Sequence, residues 1–66
     1  MSDSLDRINA AIGECLERIE RAGKTGPRGE MQAYLLEKQG KLSMEELRTV
    51  ESMVFRIIQD RENRRH

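Results

Sequence analysis

The chain has no tryptophan, and cysteine, proline, phenylalanine, tyrosine and histidine occur once each. Each scarcity excludes something. Cys15 alone cannot close an intramolecular disulfide, and one cysteine with one histidine, His66, cannot supply the four ligands of a structural zinc. A single proline, Pro27, leaves long stretches free of helix breakers. No apolar run approaches the ~20 residues that a membrane-spanning helix requires. β-Branched residues never fall in an alternating row, so strands have no pattern to follow. Basic and acidic residues number 12 each, whereas proteins that neutralise nucleic-acid phosphates ordinarily carry a basic excess. The opening MSDSLDR lacks the basic start and apolar core of an export signal, and with a lone thiol it points to the cytoplasm.

What remains is helix-forming. Charged and apolar residues each make up 36% of the chain, and Glu, Arg, Leu, Met, Ala and Gln, all good helix formers, dominate. A domain this small buries only about 60% of its unfolded surface. That burial roughly breaks even with an ordering cost of about 1.5 kcal/mol per residue. With disulfides and metal excluded, close helix packing supplemented by self-association is the remaining route to stability.

The expected fold is all-α: one interaction domain over 1–66, with helices at about 4–22, 27–39 and 44–63. The two long helices are expected to run antiparallel with the short one between them, in a dimeric bundle. In the first helix, Leu5, Ile8, Ile12, Cys15, Ile19 and Ala22 recur at alternating spacings of three and four, a heptad seam. Ser2 or Ser4 can cap it, and Asp3 and Asp6 suit its positive end. Asp3–Arg7, Glu14–Arg18 and Glu17–Arg21 are spaced as i,i+4 ion pairs. Gly23 is placed as a left-handed cap. Pro27 suits the first position of the second helix, whose stripe is Met31, Tyr34 and Leu35, and Gly40 reads as its terminator.

The third helix has the sharpest start. Ser43 followed by Glu46 spells a capping box, and Leu42 with Leu47 the matching hydrophobic staple. At about 100° per residue, Met44, Leu47, Val50, Met53, Val54, Phe55, Ile57 and Ile58 spread over about 200° of its circumference. A surface helix needs a stripe only somewhat over 100° wide. One neighbour cannot cover that arc, so part of it is expected to meet another chain. Glu51 projects inside the apolar arc, either reaching water at the rim or fixing orientation through an inter-chain salt bridge.

Catalytic and ligand-binding patterns are thin. Gly23-Lys24-Thr25 looks like the end of a phosphate-binding loop, but the required glycine five positions earlier is replaced by Arg18 inside a helix, and no strand precedes it. Lys24 and Arg28 could attract an anion only weakly. Cys15 sits on the seam as a small apolar residue with no base nearby to activate it. Glu45 and Glu46 suit the dipole of a helix start rather than two-carboxylate catalysis. Residues 32–50 could form a helix-turn-helix around Gly40. Against that, Leu36 and Lys41 occupy positions that favour small and apolar residues, and Glu45 and Glu46 would meet phosphates with negative charge. The arginine-rich 61–66 run could contact RNA or an acidic partner, but equally complements a helix end.

These observations lead to a non-enzymatic protein–protein interaction module of regulatory type, an inhibitor or adaptor, without cofactor or metal. Its expected core and dimer seam is Leu5, Ile8, Ile12, Ile19, Leu47, Val50, Val54 and Ile57. Its expected partner-binding surface is Tyr34, Leu36, Met44, Glu51, Phe55 and Ile58. A small DNA-binding regulator and a structural subunit of a larger assembly are the rival readings.

Overall fold

The structure is a computed structural model that describes residues 3–23 and 26–64. Three helices follow one another: α1 (Asp3–Ala22), α2 (Pro27–Glu37) and α3 (Met44–Arg64). They form a compact all-α unit with principal extents of 40 × 20 × 16 Å. Among the described residues there is no strand, and no helix is long and apolar enough to cross a membrane. Ser2, Lys24, Thr25, Arg65 and His66, to which possible capping, anion-binding and nucleic-acid roles attach above, lie outside the described residues.

Local chemistry accounts for most helix ends. Gly23 adopts φ 72° beyond α1, and its N–H donates to the Glu20 carbonyl at 3.1 Å. A left-handed glycine costs little there and takes up one of the open carbonyls of the last turn. Gly26, at φ 63°, precedes Pro27 at the first turn of α2, where the missing proline N–H forfeits no intrahelical bond. Gly40 does not terminate α2. The helix stops at Glu37 with Lys38 as its cap, and residues 38–42 close a tight turn in which the N–H groups of Lys41 and Leu42 both donate to the Lys38 carbonyl at 2.9 Å.

At the start of α3 the Ser43 N–H donates to Glu46 Oε1 at 2.9 Å, and the Glu46 N–H donates to Ser43 Oγ at 3.2 Å. Both halves of the capping box are therefore made. Leu47 is buried and Leu42 packs against the core, so both residues of the staple have apolar cover. The second Glu46 oxygen reaches another helix. Oε2 accepts from Ser4 Oγ at 2.8 Å and from Arg7 Nε and Nη2 at 3.2 and 3.1 Å. Ser4 is thus an interhelical donor inside α1 rather than its cap.

That contact fixes chain direction. The start of α1 lies beside the start of α3, and Glu20 near the end of α1 meets Arg61 near the end of α3 at 3.6 Å. The two long helices run parallel, contrary to the antiparallel arrangement expected above. The reason is topological: two short connections each reverse the chain, so α2 runs against both neighbours. The α2 stretch of 11 residues rises about 16 Å at 1.5 Å per residue, enough to carry the chain back.

The core is formed by Ala11, Cys15 and Ile19 of α1, Met31, Tyr34 and Leu35 of α2, and Leu47, Val50, Val54 and Ile58 of α3. Val50, Val54 and Cys15 are sealed completely. Ile58, not Ile57, completes the buried row of α3; Ile57 is only half-buried. With neighbours on two sides, the buried arc of α3 centres on Leu47 and Val54 instead of pointing at a single partner helix. Leu5, expected in the core, is 61% exposed, because the first turn of α1 meets α3 through the polar Ser4–Glu46–Arg7 contact.

The surface ion pairs also differ from expectation. Asp3, Glu14 and Glu17 do not engage the basic residues four positions on; Asp60–Arg64, at 3.2 Å, is the i,i+4 pair among the described ion pairs. Arg7 turns to Glu46, and Arg18 reaches α2, donating to Glu30 at 3.0 Å and Glu37 at 2.8 Å. Same-helix pairs contribute only a few tenths of a kcal/mol, so cross-helix acceptors readily displace them.

Hydrogen bonds from the Ser43 backbone and the Ser4 hydroxyl, together with Arg7, hold the Glu46 carboxyl down to about 2 from 4.5. A depressed carboxylate stabilises the fold above its unfolded pKa and loses that contribution as pH falls through the folded value. Acid titration followed by circular dichroism should therefore show stability falling between about pH 4.5 and about pH 2. Glu46→Gln should lower stability at neutral pH and flatten this segment; an unchanged acid limb would remove Glu46 from the account. Ser43→Ala should cost about 1 kcal/mol in denaturant unfolding.

Candidate functional site

Beyond their shared core, α2 and α3 leave a shallow groove along the surface. Its floor is apolar, from Met31, Leu35 and Leu47, and two hollows continue into one another through Gln32, Arg48 and Glu51. At one end Phe55 lies with Arg28 over it, the guanidinium 5.3 Å from the ring centroid. Arg28 is held there by a two-pronged contact with Glu62, at 3.1 Å for each nitrogen. At the other end Leu36 and Met44 stand 64% and 68% exposed. In the middle Gln32 Nε2 donates to Glu51 Oε2 at 3.2 Å.

The groove is a consequence of sequence spacing. Met44, Glu51, Phe55 and Glu62 fall within about 40° of one another around α3 at 100° per residue, a line that runs beside α2. The edge of the apolar arc on α3 thus emerges along the outer side of its contact with α2, where Phe55 lies between the Gln32–Glu51 and Arg28–Glu62 bonds. An exposed Phe beside an exposed Met and Leu, with arginines and amides on the rim, is the composition of a contact surface. Aromatic and arginine side chains are also the residue types that most often anchor such surfaces.

The residues expected to form a partner-binding surface divide. Leu36, Met44 and Phe55 are exposed and line this groove. Glu51 is half-buried and accepts from Gln32 at the surface of the groove. Ile58 is only 4% exposed and belongs to the core, because it projects between α1 and α2 rather than past them. Tyr34 is likewise buried, its hydroxyl donating to Glu14 on α1 while Lys38 sits over its ring at 5.5 Å. Burial and the Glu14 contact both push the Tyr34 phenol upward, and the same hydrogen bond with Lys38 nearby holds the Glu14 carboxyl below its usual value.

The dimer-seam residues divide as well. Ile19, Leu47, Val50 and Val54 are consumed by the protomer's own core, whereas Leu5, Ile8, Ile12 and Ile57 keep some exposure. Sequence spacing did not single out Arg28, Gln32 and Arg48 as groove residues. The Arg28–Glu62 pairing spans 34 positions, and no local pattern encodes it.

Among the described residues no group of His, Cys, Asp and Glu could hold a metal ion. Cys15 is fully buried, and that burial pushes its thiol up, away from the reactive thiolate. No buried side-chain polar atom among the described residues lacks a hydrogen-bond partner. The chain matches no protein-family model, no curated protein and no solved structure.

Tyr34 is the one tyrosine in the chain, so ultraviolet absorbance during alkaline titration reads it alone. Its ionisation should come above that of a free tyrosine, and Glu14→Gln should move it back down. A normal midpoint in the native state would contradict the buried Tyr34–Glu14 contact.

Proposed function

We propose that the protein is a non-enzymatic interaction module of the cytoplasm. In this reading it self-associates and acts stoichiometrically, as an inhibitor or adaptor, by receiving a protein segment in the groove between α2 and α3. The observation that carries this reading is the placing of Phe55, Leu36 and Met44 along one groove whose floor is the outer side of the core residues Met31, Leu35 and Leu47. Side chains not needed to close the core, yet aligned and rimmed by arginines, suit a partner rather than the protomer's own stability.

The geometry of α2 and α3 favours this over duplex DNA as the occupant. In a helix-turn-helix the two helices cross at about 90–120°. Here α2 runs back along α3, with Arg28 at Glu62 and Gln32 at Glu51, and Glu45 stands exposed at the start of α3. Gel shift with random duplex at low salt should show no band; a steeply salt-dependent complex would replace the protein-binding reading with the regulator.

Helical peptides selected from a displayed library on the intact chain should lose about 1–3 kcal/mol of binding against Phe55→Ala, with far-ultraviolet dichroism unaltered. Binders indifferent to Phe55, or a variant that unfolds, would make Phe55 a packing residue and leave the groove without its anchor. Self-association is read separately. The melting temperature should rise with protein concentration by mass action, and a stable monomer at about tens of micromolar would count against it. Dichroism showing a disordered chain at low micromolar concentration would favour an obligate subunit of a larger assembly.

A further inference from the structure

The groove between α2 and α3 distributes its charges unevenly across its width. Around α3 the core residues Leu47, Val54 and Ile58 lie about 60–100° to one side of Phe55. Glu51 and Glu62 lie on that same side, and both are already engaged. Glu51 accepts from Gln32 at 3.2 Å, and Glu62 holds two Arg28 nitrogens at 3.1 Å each. Arg48 and Arg56 lie about 20° and about 100° to the other side of Phe55, on the outer rim. Both are exposed, and neither takes part in an ion pair among the described residues.

Arg48 also lines both hollows of the groove. A segment that touches Phe55 at one end and Leu36 and Met44 at the other therefore passes over it. Covering a guanidinium without supplying an opposite charge is costly, whereas Glu51 and Glu62 need nothing from an occupant. The acid nearest Arg48 on the outer side is Glu45, in the first turn of α3, where the N–H groups of the helix start offset its charge. Asp60, one turn beyond Arg56, is paired with Arg64 at 3.2 Å. What the outer rim lacks is a carboxylate.

We infer that the groove receives an amphipathic helix with one acidic flank, its apolar face on the floor and its carboxylates over Arg48 and Arg56. The inference rests on the groove reading proposed above and specifies the chemistry of its occupant. Met44 and Phe55 stand about 16 Å apart along α3 at 1.5 Å per residue, the length of about three turns of the incoming helix. Arg48 and Arg56 stand about 12 Å apart on the same measure, so the matching carboxylates are about seven or eight residues apart. A helix satisfies its own backbone over an apolar floor. An extended segment would not, because among the described residues no strand offers an edge to its N–H and C=O groups.

Helical peptides selected from a displayed library on the full chain test it, with affinities of the best binders measured by fluorescence anisotropy. Selection should enrich Asp and Glu on one flank at that spacing. Arg48→Glu and Arg56→Glu should each weaken binding at least tenfold. Arg21→Glu, the same charge change at an exposed and unpaired arginine of α1, should leave it within about twofold. A peptide with its acidic flank changed to arginine should prefer the Arg48→Glu/Arg56→Glu chain to the wild type. Binders that need Phe55 yet ignore both arginine reversals would overturn the acidic flank and leave the groove reading standing. Binders that ignore Phe55 as well would overturn both. A dimer of the chain alone that Phe55→Ala dissociates would give the groove to a second copy and overturn the acidic helix.

Discussion

One carboxylate organises the two long helices. Glu46 closes the capping box of α3 with one oxygen and gathers Ser4 and Arg7 of α1 with the other. A single side chain thus sets where the third helix begins and which end of the first helix lies beside it. It is 6% exposed, and burial of a charge is tolerable only with several partners in good geometry. Here both oxygens are occupied, and neither long helix can shift along the other without leaving the carboxylate short of donors.

Parallel α1 and α3 follow from that contact, and the placing of apolar surface follows in turn. With α2 packed against one side of the pair, the outer flanks of the apolar arc on α3 emerge on opposite sides. Phe55 and Met44 appear beside α2, and Met53 and Ile57 appear away from it. Interhelical pairs bind the scaffold between these two surfaces. Arg18 straps α1 to Glu30 and Glu37 on α2, and Arg28 straps α2 to Glu62 on α3.

The local signals were legible in the sequence because their partners lie a few residues apart. Ser43 with Glu46, Leu42 with Leu47, Gly23 after α1 and Pro27 at the head of α2 each announce a helix end through chemistry within one turn. Long-range features were not legible. A heptad pattern such as Leu5–Ile8–Ile12–Cys15–Ile19 reads the same whichever way its neighbour runs, so it could not reveal that α1 and α3 are parallel. Spacing also pairs Glu14 with Arg18, whereas in the fold these residues bond to Tyr34 and to Glu30 and Glu37. Ile57 and Ile58 differ by one position, and only the presence of two neighbours decides that Ile58 is the one enclosed. At the groove, an apolar excess on α3 was visible in the pattern, but the Arg28 and Gln32 rim depends on α2 folding back.

The complete enclosure of Cys15 gives the molecule a built-in reporter. As the chain's one thiol, with no accessible surface in the folded state, it can meet a sulfhydryl reagent only when α1 lifts away from its neighbours. The speed of alkylation in native buffer then gauges how often that helix detaches, a local opening that equilibrium melting would average with the rest. Cysteines introduced elsewhere on the surface would react on a far faster clock, so probes can be attached to either apolar face without first removing the native sulfur.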